Sequence, residues 1–176
     1  MAMRSDDIVT DRLCLISITP ESAGAEKAAD GRLGEVTGAD VAEGWPPENW
    51  EPHVFDWLLA QFAADAGCVG WNRYIALRDG DGGRTLIGTV GGFRKAESMS
   101  ECEVGYSVVD EYQGLGYATE ALEGLMAWIW EDETVASVCA QTFPALAGSV
   151  RVMEKCGMRL VGAGFEDGTV LYRVGR

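Results

Sequence analysis

The run Tyr112-Gln113-Gly114-Leu115-Gly116-Tyr117-Ala118-Thr119-Glu120-Ala121 lies between a strand-like pattern and a helix-like one, and its chemistry is that of a pyrophosphate grip. Glycines at 114 and 116 let the backbone curl so that successive N–H groups point inward as an anion nest. A helix beginning just after them adds unpaired N–H donors and the positive end of its dipole. The spacing excludes two common versions of such a grip. A Walker loop needs Gly-Lys-Ser/Thr, which is absent, and a dinucleotide fingerprint needs Gly or Ala where Thr119 stands, the sixth place from Gly114. A plain strand-to-helix turn is the remaining alternative, and the flanking elements weigh against it.

Those elements must hold the loop in place. Before it, residues 102–109 alternate: Cys102, Val104, Tyr106 and Val108 share one face, and Glu101, Glu103, Gly105 and Ser107 share the other. After it, Ala118, Ala121, Leu122, Leu125, Met126 and Ile129 form an apolar stripe at i, i+3, i+4 spacing, predicting the chain's best helix. Upstream, residues 1–9 read as a loose lead-in and 12–17 as a first strand, with Thr19-Pro20-Glu21 starting a helix. Residues 23–49 carry a weak pattern, a short helix and then a loop at Gly44-Trp45-Pro46-Pro47. Phe55, Leu58, Leu59 and Phe62 predict a helix over 53–64. Residues 71–77 and 85–93 read as a hairpin about Gly80-Asp81-Gly82-Gly83. Downstream come a strand over 135–142, a helix carrying Leu146, Val150 and Met153 and ending at Gly157, and strands over 160–165 and 169–174. This order predicts one α/β domain over residues 1–176 with a mixed, mostly antiparallel sheet flanked by helices, unlike a doubly wound nucleotide fold.

Composition narrows the partners. A net charge of −14 disfavours broad nucleic-acid binding and suits a cationic partner such as an amine, although solubility alone explains it equally well. Five scattered cysteines without a Cys-x-x-Cys, and His53 as the sole histidine, make a metal site unexpected and read as buried thiols of a reducing compartment. No apolar run suggests a signal peptide or a membrane span, so a cytoplasmic protein without membrane partners is expected.

Read as Gln-x-x-Gly-x-Gly/Ala, the positions Gln113, Gly116 and Ala118 resemble the acetyl-CoA loop of the GNAT N-acetyltransferase superfamily. The string from Gly114 to Ala121 resembles its Rim-type branch, which includes acetyltransferases of ribosomal-protein N-termini. Thr10-Asp11-Arg12-Leu13-Cys14-Leu15, Glu103-Val104-Gly105-Tyr106 and the stretch from Ser149 to Met158 are similar to further motifs of that branch. The resemblance is strong over 85–165 and weak over 20–70. It implies a sheet that splays between the strands at 101–109 and 135–142. The pantetheine amides of acetyl-CoA would pair with backbone near Tyr106, Ser107 and Val108. The pyrophosphate would lie on the N–H groups of residues 114–119, namely Gly114, Leu115, Gly116, Tyr117, Ala118 and Thr119, with Gln113 of the motif a further cofactor-binding residue.

Acetyl transfer to an amine requires a deprotonated nitrogen, a stabilised carbonyl oxygen and a leaving thiolate. Glu103 is the candidate base, directly or through water, with Glu101 a second candidate on the same face. The alternative for both is a solvated or salt-bridged strand residue. Ser149 matches the family's hydroxyl near the leaving sulfur, as proton donor or as hydrogen bond to the thiolate, against a local helix bond. Leu146 stands where the family often has Asn, and Met153 where a Tyr donor sits elsewhere. Trp45, Trp50 and Trp57 are either an acceptor lining or core, and His53 reads as a surface or capping residue. The expected activity is N-acetylation of a primary amine, either a protein N-terminus or a small molecule. A non-catalytic CoA-binding or sensory module and a different donor such as succinyl-CoA are the alternatives. The resemblance also makes a homodimer a possibility.

Overall fold

The computed structural model describes residues 6–95 and 97–176. The elements run β1 (Ile8–Val9), β2 (Leu13–Ser17), α1 (Pro20–Ala28), α2 (Leu33–Thr37), β3 (Asp40–Val41), α3 (Pro52–Ala64), β4 (Asn72–Arg78), β5 (Arg84–Lys95), β6 (Ser98–Val108), α4 (Tyr117–Ile129), β7 (Ser137–Thr142), α5 (Ala147–Lys155), β8 (Arg159–Ala163) and β9 (Val170–Gly175). The sheet order is β1-β2-β4-β5-β6-β7-β9-β8, with β3 added alongside β5. Every pair along that order is antiparallel except β6–β7, which is parallel. The predicted α/β domain with a mostly antiparallel sheet is what forms.

The strand alternation sorts side chains onto two cores. On β2, Leu13 and Leu15 face the layer containing α4, where they join Leu122, Leu125 and Ile129. Cys14 and Ile16 face the opposite layer and meet Leu58 and Phe62 of α3. A central strand covered on both faces is buried throughout, which explains the unbroken apolar run at 13–16. The three aliphatic side chains of α4 are fully buried, each contributing about 1.5–3 kcal/mol of burial.

Local chemistry sets the helix ends. Thr19 accepts from the Ser22 N–H while Ser22 Oγ accepts from the Thr19 N–H, a reciprocal capping box with Pro20 at the first helical position. Several expectations are amended. Residues 1–5 of the lead-in lie outside the described residues, and Ile8–Val9 form an edge strand. The weak 23–49 region contributes to two helices and a two-residue strand. Leu146 precedes α5 as its N-cap residue and is 52% exposed. The strand expected at 160–165 runs over Arg159–Ala163 on the sheet edge and is exposed along its length.

Candidate active site

Strands β6 and β7 pair only at Glu101–Ser137, Cys102–Val138 and Glu103–Cys139. Beyond that point β6 continues to Val108 and β7 to Thr142 without pairing to each other. The parted strands therefore leave a row of β6 main-chain groups open on one edge, available to an extended ligand as if it were another strand. A cleft of about 930 Å³ fills the gap, walled by residues 104–108 on one side and 140–143 on the other. It runs to the start of α4 and passes Ser149, Arg151 and Lys155 of α5.

The floor of this cleft ends at the glycine loop. Gly114 and Gly116 have φ of +73° and +86°, the left-handed region where a side chain is strained. Gly116 is the N-cap of α4, no side chain caps that end, and the first hydrogen bond into the helix is Glu120 N–H to the Gly116 carbonyl. The N–H groups of Tyr117, Ala118 and Thr119 therefore point out of the helix end, toward the cleft these residues line. Gln113 braces the loop from within, its Nε2 donating to the Val108 carbonyl and to Asp110 Oδ1, both at 2.9 Å.

A second brace comes from the turn between β1 and β2. Arg12 Nε lies 2.6 Å from Glu120 Oε2, its Nη1 donates to the Leu115 carbonyl at 3.0 Å, and its main-chain N–H and Thr10 Oγ1 both donate to Glu120 Oε1. Burial alone would raise the Glu120 carboxyl, but the hydrogen bonds from Thr10 and Arg12 and the guanidinium charge outweigh it and hold the carboxyl below its usual value. Arg12 also lies over the Tyr117 ring, 4.5 Å from its centroid.

A second cleft of about 650 Å³ adjoins the first. The two share the stretch 104–107 together with Glu48, Asn49, His53 and Glu166. Trp50, Trp57, Phe93 and Glu103 line only the second. Its floor is sheet, and β5 lies close against β6 there: a methyl group on Gly92 would stand 2.7 Å from the Glu103 carbonyl oxygen. Arg151 and Lys155 line the first cleft beside Glu48, Glu51 and Glu166, whereas the lining of the second has carboxylates and aromatic faces but no lysine or arginine, which suits a cationic amine.

Glu103 sits in that second cleft within a network. Its Oε2 is 3.3 Å from Lys95 Nζ, and its Oε1 accepts from Gln141 Nε2 at 3.0 Å. Gln141 Oε1 in turn accepts from the Phe165 and Glu166 N–H groups and from Thr169 Oγ1. Glu101 lies apart from both clefts, held by Arg173 Nε at 2.7 Å and by Ser137 Oγ; the ion-pair alternative describes its surroundings. Ser149 of α5 lines the first cleft and has Tyr106 Oη of β6 3.1 Å from its Oγ, a partner on another element rather than a carbonyl one turn back. Ser107 Oγ donates to the Glu48 carbonyl at 2.7 Å, stitching β6 to the loop at 45–50.

The tryptophans divide between the two expected roles. Trp45 and Trp50 donate their indole N–H groups to Glu26, and Trp50 also lines the second cleft. Trp57 is 40% exposed and meets Phe93 edge-on at the rim. The His53 side chain is exposed at the start of α3, 3.4 Å from a Glu51 carboxylate oxygen. All five cysteines are free thiols. Burial pushes Cys102 up to about 11 and Cys139 and Cys156 up to about 12, so these three are poor nucleophiles. Among the described residues no His/Cys/Asp/Glu cluster could hold a metal, and no helix is long and apolar enough to cross a membrane.

Sequence reasoning missed Lys95, Gln141, Glu26 and the side-chain role of Tyr106. Lys95 was within reach, because a hairpin register for 85–109 places it diagonally from Glu103 on the same face. Gln141 and Glu26 have no local signal, as their partners lie 38 and at least 19 residues away.

The sequence profile of the acetyltransferase (GNAT) domain matches residues 12–159, most of the chain. No curated protein sequence matches significantly. Solved structures share the fold at low identity. A ribosomal-protein-S5-alanine acetyltransferase from Vibrio fischeri is 18% identical with a TM-score of 0.63, covering 96% of each chain. The microcin C7 self-immunity acetyltransferase MccE, in complex with acetyl-CoA and AMP, is 15% identical with a TM-score of 0.63, covering 99% of each chain. A spermidine N-acetyltransferase chimera from Vibrio cholerae and hSSAT is 15% identical with a TM-score of 0.61, covering 94% of this chain and 96% of its own.

Proposed function

The chain belongs to the GNAT acetyltransferase domain family, and from that premise we propose that it moves an acetyl group from acetyl-CoA to a primary amine by direct attack on the thioester. The observation that carries this reading is the junction of two unlike clefts at residues 104–107, where β6 has parted from β7. The first cleft suits the donor. Main chain of Tyr106, Ser107 and Val108 offers strand-like pairing to the pantetheine arm. The loop from Gln113 to Thr119 offers N–H groups to the pyrophosphate, and Arg151 and Lys155 offset the repulsion that an acidic protein exerts on a polyanion. Leu146 lines this cleft in place of the family's usual Asn and supplies apolar contact only.

The second cleft suits the acceptor. An α-amino group ionises near pH ~8 and a lysine-like amine nearer ~10, so only a modest base is needed. Glu103 takes the proton, through a water in the second cleft, with Lys95 paired to one carboxylate oxygen and Gln141 donating to the other to fix its orientation. The acceptor is a protein N-terminus or a small-molecule amine. Neighbours with different named acceptors share this fold, so the acceptor is decided by side chains of the second cleft and not by the scaffold.

The first test is a thermal-shift titration with acetyl-CoA, using ATP and NAD as controls. A rise with acetyl-CoA alone supports the donor site, and no rise at saturating ligand sinks it. Release of free CoA is then followed with a peptide bearing an N-terminal alanine and with spermidine, and succinyl-CoA is run as a competing donor. Binding without release across a broad amine panel would instead mean a CoA-binding module.

A further inference from the structure

Glu103 is the last residue of β6 paired to β7, so its side chain stands at the fork where the two strands part. Each of its carboxylate oxygens has a holder there, and both holders lead to one place, the turn between β8 and β9. Gln141 is the first. Its Oε1 lies 2.8 Å from the Phe165 nitrogen and 3.1 Å from the Glu166 nitrogen. Only an oxygen can accept from two main-chain N–H groups, so the amide is fixed with its Nε2 toward Glu103 Oε1, at 3.0 Å. Lys95 is the second. Its Nζ lies 3.3 Å from Glu103 Oε2 and 3.1 Å from the centroid of the Phe165 ring.

The turn is built closely around this pair. Gly164 N–H donates to the Thr169 carbonyl, and Thr169 N–H donates to that of Glu166. A methyl group on Gly164 would stand 2.0 Å from Thr169 Oγ1 and 2.9 Å from Gln141 Oε1, so the main chain meets the amide with no room for a side chain. Phe165 is itself 51% exposed, yet its ring covers a lysine side chain that is only 14% exposed. Without that face, the long lysine side chain can turn out to water and leave Glu103 Oε2. Glu166, the next residue, lines both clefts, so the same turn borders their junction.

We propose that the β8–β9 turn positions Glu103 as the proton acceptor, through Gln141 on one oxygen and through Phe165 and Lys95 on the other. The inference rests on the acetyl-transfer reading and adds to it an element outside the two strands that part. A carboxylate takes a proton along a lone pair, and each holder fills one lone-pair site on a different oxygen. The sites left open then point in fixed directions, which a freely turning side chain would not offer. Gly164 and Phe165 line neither cleft. They are positioning residues, acting through Gln141 and Lys95.

The test reads position first and rate second. Gln141 is one of three glutamines, so its side-chain NH2 pair can be followed by NMR in protein carrying isotope-labelled glutamine. That pair should shift on Glu103→Gln, and in Gly164→Ala it should move to the place of a solvent-exposed amide. Release of CoA with spermidine or an alanine-ended peptide then gives kcat. Gly164→Ala should lose about tenfold and Phe165→Leu about threefold, inside the roughly hundredfold that a 1 Å misplacement can cost. Phe165→Tyr keeps the ring and should restore most of the Phe165→Leu loss. Added to Glu103→Gln, neither Gly164→Ala nor Phe165→Leu should lower kcat further, because each acts through the carboxylate already removed. Acetyl-CoA affinity and the melting temperature check each variant's fold, and Phe165→Leu carries the test if Gly164→Ala does not fold. An amide pair indifferent to Glu103→Gln overturns the inference, as do rate losses that multiply with that of Glu103→Gln. The transfer reading fails by a different result, a wild type that releases no CoA with any amine, and the base role falls with it whatever the spectra show.

Discussion

The proposed donor cleft and the proposed acceptor cleft meet at the same four residues of β6 but are built on different principles. The donor side is made of backbone: a parted strand edge, two left-handed glycines and an uncapped helix start, all within residues 104–119. The acceptor side is made of side chains joined over long separations. Glu26 accepts from Trp45, Trp50 and Tyr74, and Glu103 links Lys95 to Gln141 and the β8–β9 turn. A backbone device tolerates almost any side chain except where a Cβ intrudes. A side-chain network fails with the loss of any one member, because the buried partner is left unsatisfied. The donor can therefore stay fixed across a family while the acceptor changes.

The largest effect should come from putting a charge into the backbone device. Gly116→Glu introduces both a strained φ and an anion into the nest, and acetyl-CoA affinity should fall by at least about a hundredfold. Gly116→Ala carries the backbone strain without the charge and should lose far less. Normal binding by the glutamate variant would remove the loop from the donor site and leave the comparison without its first half.

Glu103→Gln should act on turnover and spare the donor. Loss of a positioned base should cost about a hundredfold in kcat, with acetyl-CoA binding unchanged. Lys95→Met separates the base from a strut. A base keeps much of its activity without Lys95, whereas a purely structural ion pair makes the two variants equally impaired and equally destabilised. Equal losses in kcat and melting temperature would assign Glu103 to the network alone.

This contrast also explains what the sequence made legible. The strand, glycine loop and helix over 102–129 are consecutive, and each is written in local spacing: alternation, Gly-x-Gly, then an i, i+3, i+4 stripe. The split of β2 onto two cores follows from alternation as well. The loop at 44–47 was legible from its prolines, but the placement of Trp45 and Trp50 was not, because both are held by Glu26, a residue of α1. Glu101 and Glu103 are adjacent on one strand face and look alike in the sequence. Only the partners on other strands, Arg173 for one and Lys95 with Gln141 for the other, separate them. The two-residue strands β1 and β3 carry no periodicity, since they exist through pairing to β2 and β5.

Glu26 tests the acceptor side through pH. Its burial raises the carboxyl above the usual range, and the hydrogen bonds from Tyr74, Trp50 and Trp45 only partly oppose this. A carboxyl raised in the folded state contributes stability that is full below its unfolded value and is lost as pH rises through its folded one. The stability of the wild type over Glu26→Gln should therefore shrink as pH increases from the ordinary carboxylate range toward neutrality. Denaturant titrations at several pH values measure it, and a gap that widens over that interval would contradict the burial argument. Glu26→Gln should also weaken acceptor affinity while leaving acetyl-CoA binding in place, because the loop it holds carries Trp50 and Glu48.

The smallest effect, and the one of opposite sign, is expected at Glu120 on the donor side. Here Thr10 and Arg12 outweigh burial and lower the carboxyl, so the contribution is present above the unfolded value and is lost as pH falls through the folded one. The stability gap between the wild type and Glu120→Gln should close on acidification, while the gap at Glu26 opens. Arg12 is 45% exposed, so solvent screens the pair and limits its worth to about 1 kcal/mol. That corresponds to a melting-temperature drop of about 2–4 °C for Arg12→Ala in a chain of this size. Acetyl-CoA affinity should fall only a few-fold, because Arg12 supports the loop through the Leu115 carbonyl and Glu120 and is absent from the cleft lining. A loss as large as that of Gly116→Glu would show that the nest depends on its side-chain brace, and the donor cleft would then be no more a backbone device than the acceptor cleft is.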